Sequence, residues 1–232
     1  KTATVGIVID VWKRYPKTPT EINLAAVRDE DERNWKFYTD PVYGKGYSDY
    51  ILNALGREGT LMKIGTDDYK TMSAPTDFFG LNIYNRVLVD KDKTTKGKLL
   101  TGGNVQDTSK GTYAKVVYDV PKLLRETYDL KIPIIVTENG CPSYVHEFKG
   151  FNKTINDKKR IEYIKDFLSW IEKANADGLN IKGYYAWSLM DNIEWCAGPM
   201  MKYGLLHTNF RTFETTWKKS AYFYRDFIKS HS

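Results

Sequence analysis

Four short apolar runs constrain this chain more than anything else in it: Val5–Ile9, Phe78–Tyr84, Ile132–Val136 and Ile181–Trp187. Each is too short for a buried helix and is flanked by polar residues. Strands covered on both faces read this way, and such strands are usually parallel. Helical patterns fill the gaps. Leu24–Tyr38 and Ser48–Leu55 follow the first run. A helix capped by Asp119, with Val120 and Pro121 in its first turn, follows the second. Ile161, Ile164, Phe167, Leu168, Ile171 and Ala174 keep three-four spacing in a helix capped by Asn156 or Asp157 and stopped by Gly178. Lys218–Ile228 closes the series. Strand and helix alternate four times, which predicts an α/β fold with parallel strands and right-handed crossovers. The strands start roughly fifty to seventy residues apart, wider than a minimal βαβ unit of roughly 30 residues. Long loops make up the difference, and Val89–Thr112, rich in Lys, Thr, Gly and Asp, is expected to be a mobile surface loop. No linker divides the 232 residues, so a single domain of four β/α units over 1–232 is expected.

Chemistry-bearing residues gather at the carboxyl ends of these strands. The first ends in Asp10, the second contains Asn82 and Tyr84, and the third ends in Thr137-Glu138-Asn139. The fourth ends in Trp187-Ser188, with Asp191, Asn192, Glu194 and Trp195 close behind. In barrels of parallel strands that face carries the active site. A carboxylate directly after Ile134-Ile135-Val136 is costly to desolvate without a partner or a purpose. Alone, Glu138 reads first as a strand-end acceptor of backbone N–H bonds; Asn139-Gly140 after it reads as a tight turn that exposes the side chain at a loop mouth, which speaks for function without deciding it. The Trp187–Trp195 stretch sets two Trp around acid and amide groups. Carboxylates and amides bind sugar hydroxyls, and an indole covers the apolar face of a pyranose. Core packing for the Trp pair and helix capping for Asp191 and Asn192 are the alternatives.

The remaining function classes find little support. The net charge of +6 comes from scattered residues, with short clusters at Lys91–Lys98 and Lys158–Arg160. No basic stripe interleaved with aromatics suggests nucleic acid. No run reaches the roughly 18 apolar residues of a membrane helix. Residue 1 leads straight into a strand-like segment without the pattern of a secretory leader. Two cysteines, Cys141 and Cys196, suit a reducing compartment, so a cytoplasmic location is expected. His146, His207 and His231 are dispersed, so neither a metal nor another cofactor is expected. Asn152-Lys153-Thr154 is a glycosylation sequon of a kind common by chance.

Several of these stretches resemble the family-1 glycoside hydrolases, the β-glucosidase family. Val136-Thr137-Glu138-Asn139-Gly140 is similar to its (I/V)-T-E-N-G nucleophile motif. Asp77 through Tyr84 resembles D-F-L-G-L-N-Y-Y, and Gly183–Trp195 resembles G-Y-x-x-W-S-L-x-D-N-x-E-W. Lys202-Tyr203-Gly204-Leu205 resembles R-F-G-L, and Gly6–Asp10 with Tyr15-Pro16 resembles G-I-x-L-N…Y-P. The matches run end to end in the family's order. The resemblance implies hydrolysis of β-glycosides with retention. Glu138 would be the nucleophile, Tyr84 its hydrogen-bond partner and Asn82 a support of the site. Trp187 would be the sugar platform, Glu194 and Trp195 would hold outer hydroxyls, and Tyr203 would line the same pocket. Glu194 stands where relatives acting on 6-phosphorylated sugars usually carry Ser, which favours an unphosphorylated sugar. Departures at Pro199, Met200 and Met201 bear on the region beyond the scissile bond, and Cys196, Ala197 and Asn209 also depart from the family's pattern.

The resemblance covers only strands five to eight of an eight-stranded (β/α) barrel, in a family whose members are roughly twice as long. Retaining hydrolysis uses two carboxylates roughly 5 Å apart, an attacker and an acid/base. The family's acid/base belongs to an N-E-P motif, and none occurs here. Half a barrel also leaves two strand edges and an apolar inner face open. The expectation is a heterodimer with a complementary chain carrying strands one to four and the acid/base. The alternatives are a homodimer lacking the acid and a half-barrel that binds sugar without turnover.

Overall fold

The computed structural model describes residues 3–60, 63–91, 111–144 and 154–231. Most of the Val89–Thr112 segment and of the Lys91–Lys98 cluster, together with His146 and Asn152-Lys153 of the sequon, lie outside the described residues. In chain order the elements are β1 (Gly6–Asp10), β2 (Arg14–Pro16), α1 (Glu21–Asp31), a π-helical turn (Glu32–Lys36), α2 (Phe37–Val42), α3 (Asp49–Arg57) and α4 (Thr66–Met72). They continue with β3 (Phe78–Asn82), β4 (Val87–Val89), α5 (Val116–Tyr128), β5 (Ile134–Asn139), β6 (Ser143–Tyr144) and α6 (Lys158–Ala176). The last are β7 (Ile181–Ala186), β8 (Met201–Lys202), β9 (Leu206–Thr208), β10 (Thr215–Trp217) and α7 (Lys219–Ser230).

The four apolar runs form one sheet in the order β1-β3-β5-β7, parallel throughout. One face is closed by helices. Ile9, Phe79, Leu81, Ile134, Val136 and Ile181 alternate toward a core shared with Val120 and Leu124 of α5 and Ile164 and Phe167 of α6. Each such side chain contributes roughly 1.5–3 kcal/mol by leaving water. The other face is open: Val8 is 50% and Tyr185 62% exposed. Along that face Gly80 lies against Val8 and Gly183 against Ile135, where any Cβ would press on its neighbour.

Three local expectations change. The Leu24–Tyr38 helix is broken at Asn34, whose backbone (φ −110°, ψ −109°) leaves the helical region between α1 and α2. Helix α5 begins three residues before Asp119, whose carboxylate instead accepts from the Tyr15 hydroxyl (2.8 Å) and the Tyr113 hydroxyl (3.2 Å). Asp157 sits at the start of α6, but its carboxylate bonds Arg160 and Ser220 rather than the helix's own N–H groups. In both helices a partner distant in sequence outcompetes the local cap. Gly178, at φ +82°, follows α6 as expected.

Candidate active site

Strand alternation alone would turn Glu138 the wrong way. Ile134 and Val136 point into the helix layer, and a residue two further on would follow them. A register shift prevents this: Leu81 pairs with Val136 but Asn82 pairs with Glu138, so Thr137 is inserted as a bulge. Asp10 pairs with Asn82 in turn, so Asp10, Asn82 and Glu138 lie in a row across three strand ends. Thr137 donates its hydroxyl to Asn82 Oδ1 at 2.7 Å, fixing the bulge.

Glu138 accepts from the Tyr84 hydroxyl at 2.5 Å. Burial, and then the bond to Glu138, pushes the Tyr84 phenol well above its usual range, so it stays a neutral donor. Its ring is sandwiched by Trp12, stacked at 5.6 Å and 9°, and met edge-on by Tyr203 at 6.3 Å. Tyr203, Met201 and Tyr84 form a small buried cluster with Trp12 and Trp187 against it. The Trp187 indole N–H donates to Glu194 Oε1 at 3.3 Å. Burial raises the Glu194 carboxyl, the Trp187 bond opposes this, and the charge of Glu138 adds to it. Asp10 accepts from the Trp12 indole at 2.6 Å. Burial pushes its carboxyl to about 6, against the Trp12 bond and with the charge of Glu138.

The structure therefore gathers Asn82, Tyr84, Glu138, Trp187, Glu194 and Tyr203. It leaves Trp195 fully exposed and outside this cluster. Asn139-Gly140 is not the expected exposing turn. Asn139 ends β5 with its amide buried, donating to Ile83 O (2.5 Å) and the Tyr163 hydroxyl (3.0 Å). A Cβ at Gly140 would stand 2.1 Å from Trp187 O, so glycine admits the neighbouring strand end. Asp191 caps no helix: it is buried, accepts from Gly204 N at 2.9 Å and pairs with Lys218 at 2.7 Å. Trp12 is a member that the sequence did not single out, and Asp10, noted there as the end of the first apolar run, was given no role. Among the described residues no group of three or more His, Cys, Asp or Glu is placed to hold a metal, and no helix is long and apolar enough to cross a membrane.

Residues 1–232 match the family model described as glycosyl hydrolase family 1. The chain belongs to that family. It is 32% identical over 235 residues to beta-glucosidase A of Acetivibrio thermocellus, covering 99% of this chain and 52% of that protein. It is also 32% identical over 256 residues to a 6-phospho-beta-galactosidase of Staphylococcus haemolyticus, covering 97% of this chain and 54% of the relative. The crystal structure of the GH1 beta-glucosidase from Exiguobacterium antarcticum B7 superposes with a TM-score of 0.83 at 30% identity, over 100% of this chain and 52% of the other. The chain thus spans about half the length of the family-1 relatives it matches, and its α/β fold corresponds to about half of their barrel.

Proposed function

We propose that this chain is the nucleophile-bearing half, strands five to eight, of a retaining β-glycosidase acting on unphosphorylated β-glycosides. The observation that carries the reading is the bulged strand end that turns Glu138 onto the Tyr84 hydroxyl at 2.5 Å, beside Trp187 and Glu194. Glu138 attacks the anomeric carbon and displaces the leaving group, which an acid/base carboxyl protonates. The same group then activates water to release the sugar. Tyr84 holds the attacking carboxylate in line.

Strands one to four bring that acid/base, on a complementary chain or on a longer polypeptide that includes this one. The open sheet face with Val8 and Tyr185 supports such completion, since apolar groups at that position fill a closed barrel. Trp187 carries the sugar ring and Glu194 its outer hydroxyls; a carboxylate there repels a 6-phosphate.

The test is hydrolysis of an aryl β-glucoside and of its 6-phosphate by the assembled barrel, with wild type and Glu138→Gln. Wild type prefers the unphosphorylated substrate. Glu138→Gln loses on the order of 10⁴-fold or more in kcat with assembly intact, as removal of a covalent catalyst does. Near-normal turnover by Glu138→Gln rejects the assignment.

A further inference from the structure

Among the buried cations that the reading of Glu138 leaves unused, Arg160 is the one bonded to the site's own segments. Arg160, in the first turn of α6, is 2% exposed, yet its guanidinium is bonded all round. Nε donates to Asp157 Oδ2 at 2.9 Å. Nη1 donates to Tyr203 O at 2.7 Å and to Cys141 O. Nη2 donates to Ser143 Oγ at 2.9 Å and Lys202 O at 2.7 Å. All five N–H groups of a guanidinium are therefore engaged.

Apart from Asp157, the acceptors come from two segments, which also pair directly as the short antiparallel strands β6 and β8. Cys141 and Ser143 lie just beyond the Glu138-Asn139-Gly140 strand end. Lys202 and Tyr203 carry the ring that meets Tyr84 edge-on. One turn further along α6, the Tyr163 hydroxyl donates to Tyr84 O at 2.7 Å and accepts from Asn139. One helix face thus grips the backbone on both sides of the Tyr84–Glu138 bond. Anchorage of the helix itself has a separate route: Asp157 accepts from Ser220 N (2.9 Å) and Ser220 Oγ (2.5 Å) of α7.

We propose that Arg160 is a positioning residue for glycoside hydrolysis, holding the strand exit after Glu138 and the Tyr203 segment in the register that aligns Tyr84 with the attacking carboxylate. The inference rests on the proposed role of Glu138. Its effect falls on the chemical step, because the clamp lies behind the site and meets Tyr203 at its backbone carbonyl, leaving the side chains that face the sugar untouched. A displacement of about 1 Å of reacting groups costs on the order of 10²-fold in rate.

The experiment compares Arg160→Lys, Asp157→Asn and Ser143→Ala in the assembled barrel with an aryl β-glycoside, at a temperature where circular dichroism shows each folded. Lysine keeps the charge beside Asp157 but cannot span both segments. Arg160→Lys is expected to lower kcat by about 10–100-fold with KM within about threefold. Ser143→Ala, which removes a single tie, lowers kcat by about threefold at unchanged KM. Asp157→Asn lowers the melting temperature while kcat holds, because the carbonyl ties survive. Unchanged kcat in Arg160→Lys, or in Ser143→Ala if the lysine variant does not fold, overturns the inference. So does a kcat loss in Asp157→Asn that matches that of Arg160→Lys. Glu138→Gln run in parallel separates the two levels: an active Glu138→Gln removes the underlying role, while an inactive one beside a full-rate Arg160→Lys removes only the clamp.

Discussion

Two clusters of charge sit at the same end of this sheet and are built in opposite ways. In one, Asp10, Glu138 and Glu194 face the open side with indole and phenol donors for company, and among the described residues no ion pair reaches any of them. In the other, Arg160 pairs with Asp157 and Lys218 with Asp191, all four buried, with further bonds to Arg160, Asp157 and Asp191. The chain carries a net +6, so cations are not scarce; the buried ion pairs of Arg160 and Lys218 lie behind the site, while among the described residues Arg14 acts on Asp10 at the front through its charge without an ion pair. Carboxylates left without counter-charge raise one another and are costly to keep. Such an arrangement is tolerated where a substrate's hydroxyls or an anomeric carbon will meet them. The paired cluster holds segments at fixed separation.

The contrast breaks most visibly at Lys218. Burial, with the charge of Arg160 adding to it, brings its ammonium down to about 8 in spite of Asp191 at 2.7 Å. Lys218→Met leaves Asp191 buried with only His207 (2.9 Å) beside its backbone donors. Removing one partner of a buried pair costs about 3–5 kcal/mol. Urea unfolding of the assembled barrel is expected to show a loss of that size. Replacing both partners, with Lys218→Met and Asp191→Leu together, recovers much of it. A neutral Lys218→Met would mean that the rear cluster is no frame at all.

A smaller effect sharpens the front. Tyr84→Phe removes the one described hydroxyl that reaches Glu138 while keeping the ring between Trp12 and Tyr203. A hydrogen bond to a charged group contributes about 1.5–3 kcal/mol. We expect kcat to fall about 10–100-fold with KM and the urea midpoint nearly unchanged. A midpoint shift with kcat intact would move Tyr84 from the front cluster to the rear one.

How much of this could be read from the residues follows the same division. The strands were legible because burial on both faces makes them uninterrupted apolar runs, and their order follows from alternation with helices. The polar row at the strand ends was legible for the same reason. Glu138's direction was not, because the bulge at Thr137 is set by pairing with β3 and leaves no mark in its own strand. Asp157 read as a candidate helix cap, and Asp191 as a sugar ligand or, alternatively, a cap, yet their partners Ser220 and Lys218 lie 63 and 27 residues away, beyond the reach of local pattern. Trp195 was grouped with Glu194 through the family motif, and in this chain it is fully exposed to solvent.

Asp10 offers the finest test of the front cluster, and here the sign matters. Burial lifts its carboxyl from 3.8 to about 6, with the charge of Glu138 adding and the Trp12 indole bond opposing. A carboxyl raised in the folded state favours folding while it stays protonated. That contribution is fully present below pH 3.8 and is lost as pH rises through about 6. Asparagine cannot ionise, so Asp10→Asn should escape the loss. Urea midpoints of wild type and variant should diverge between pH 4 and 6, with the variant the more stable above pH 6. The difference is modest, because Asp10 keeps contact with solvent on the open side of the sheet. Closing the barrel over that side adds burial and acts in the same direction. Midpoints that stay parallel across the window would mean that Asp10 is already matched by a cation, Arg14 of this chain or one from strands one to four, and the front would then be neutralised like the rear.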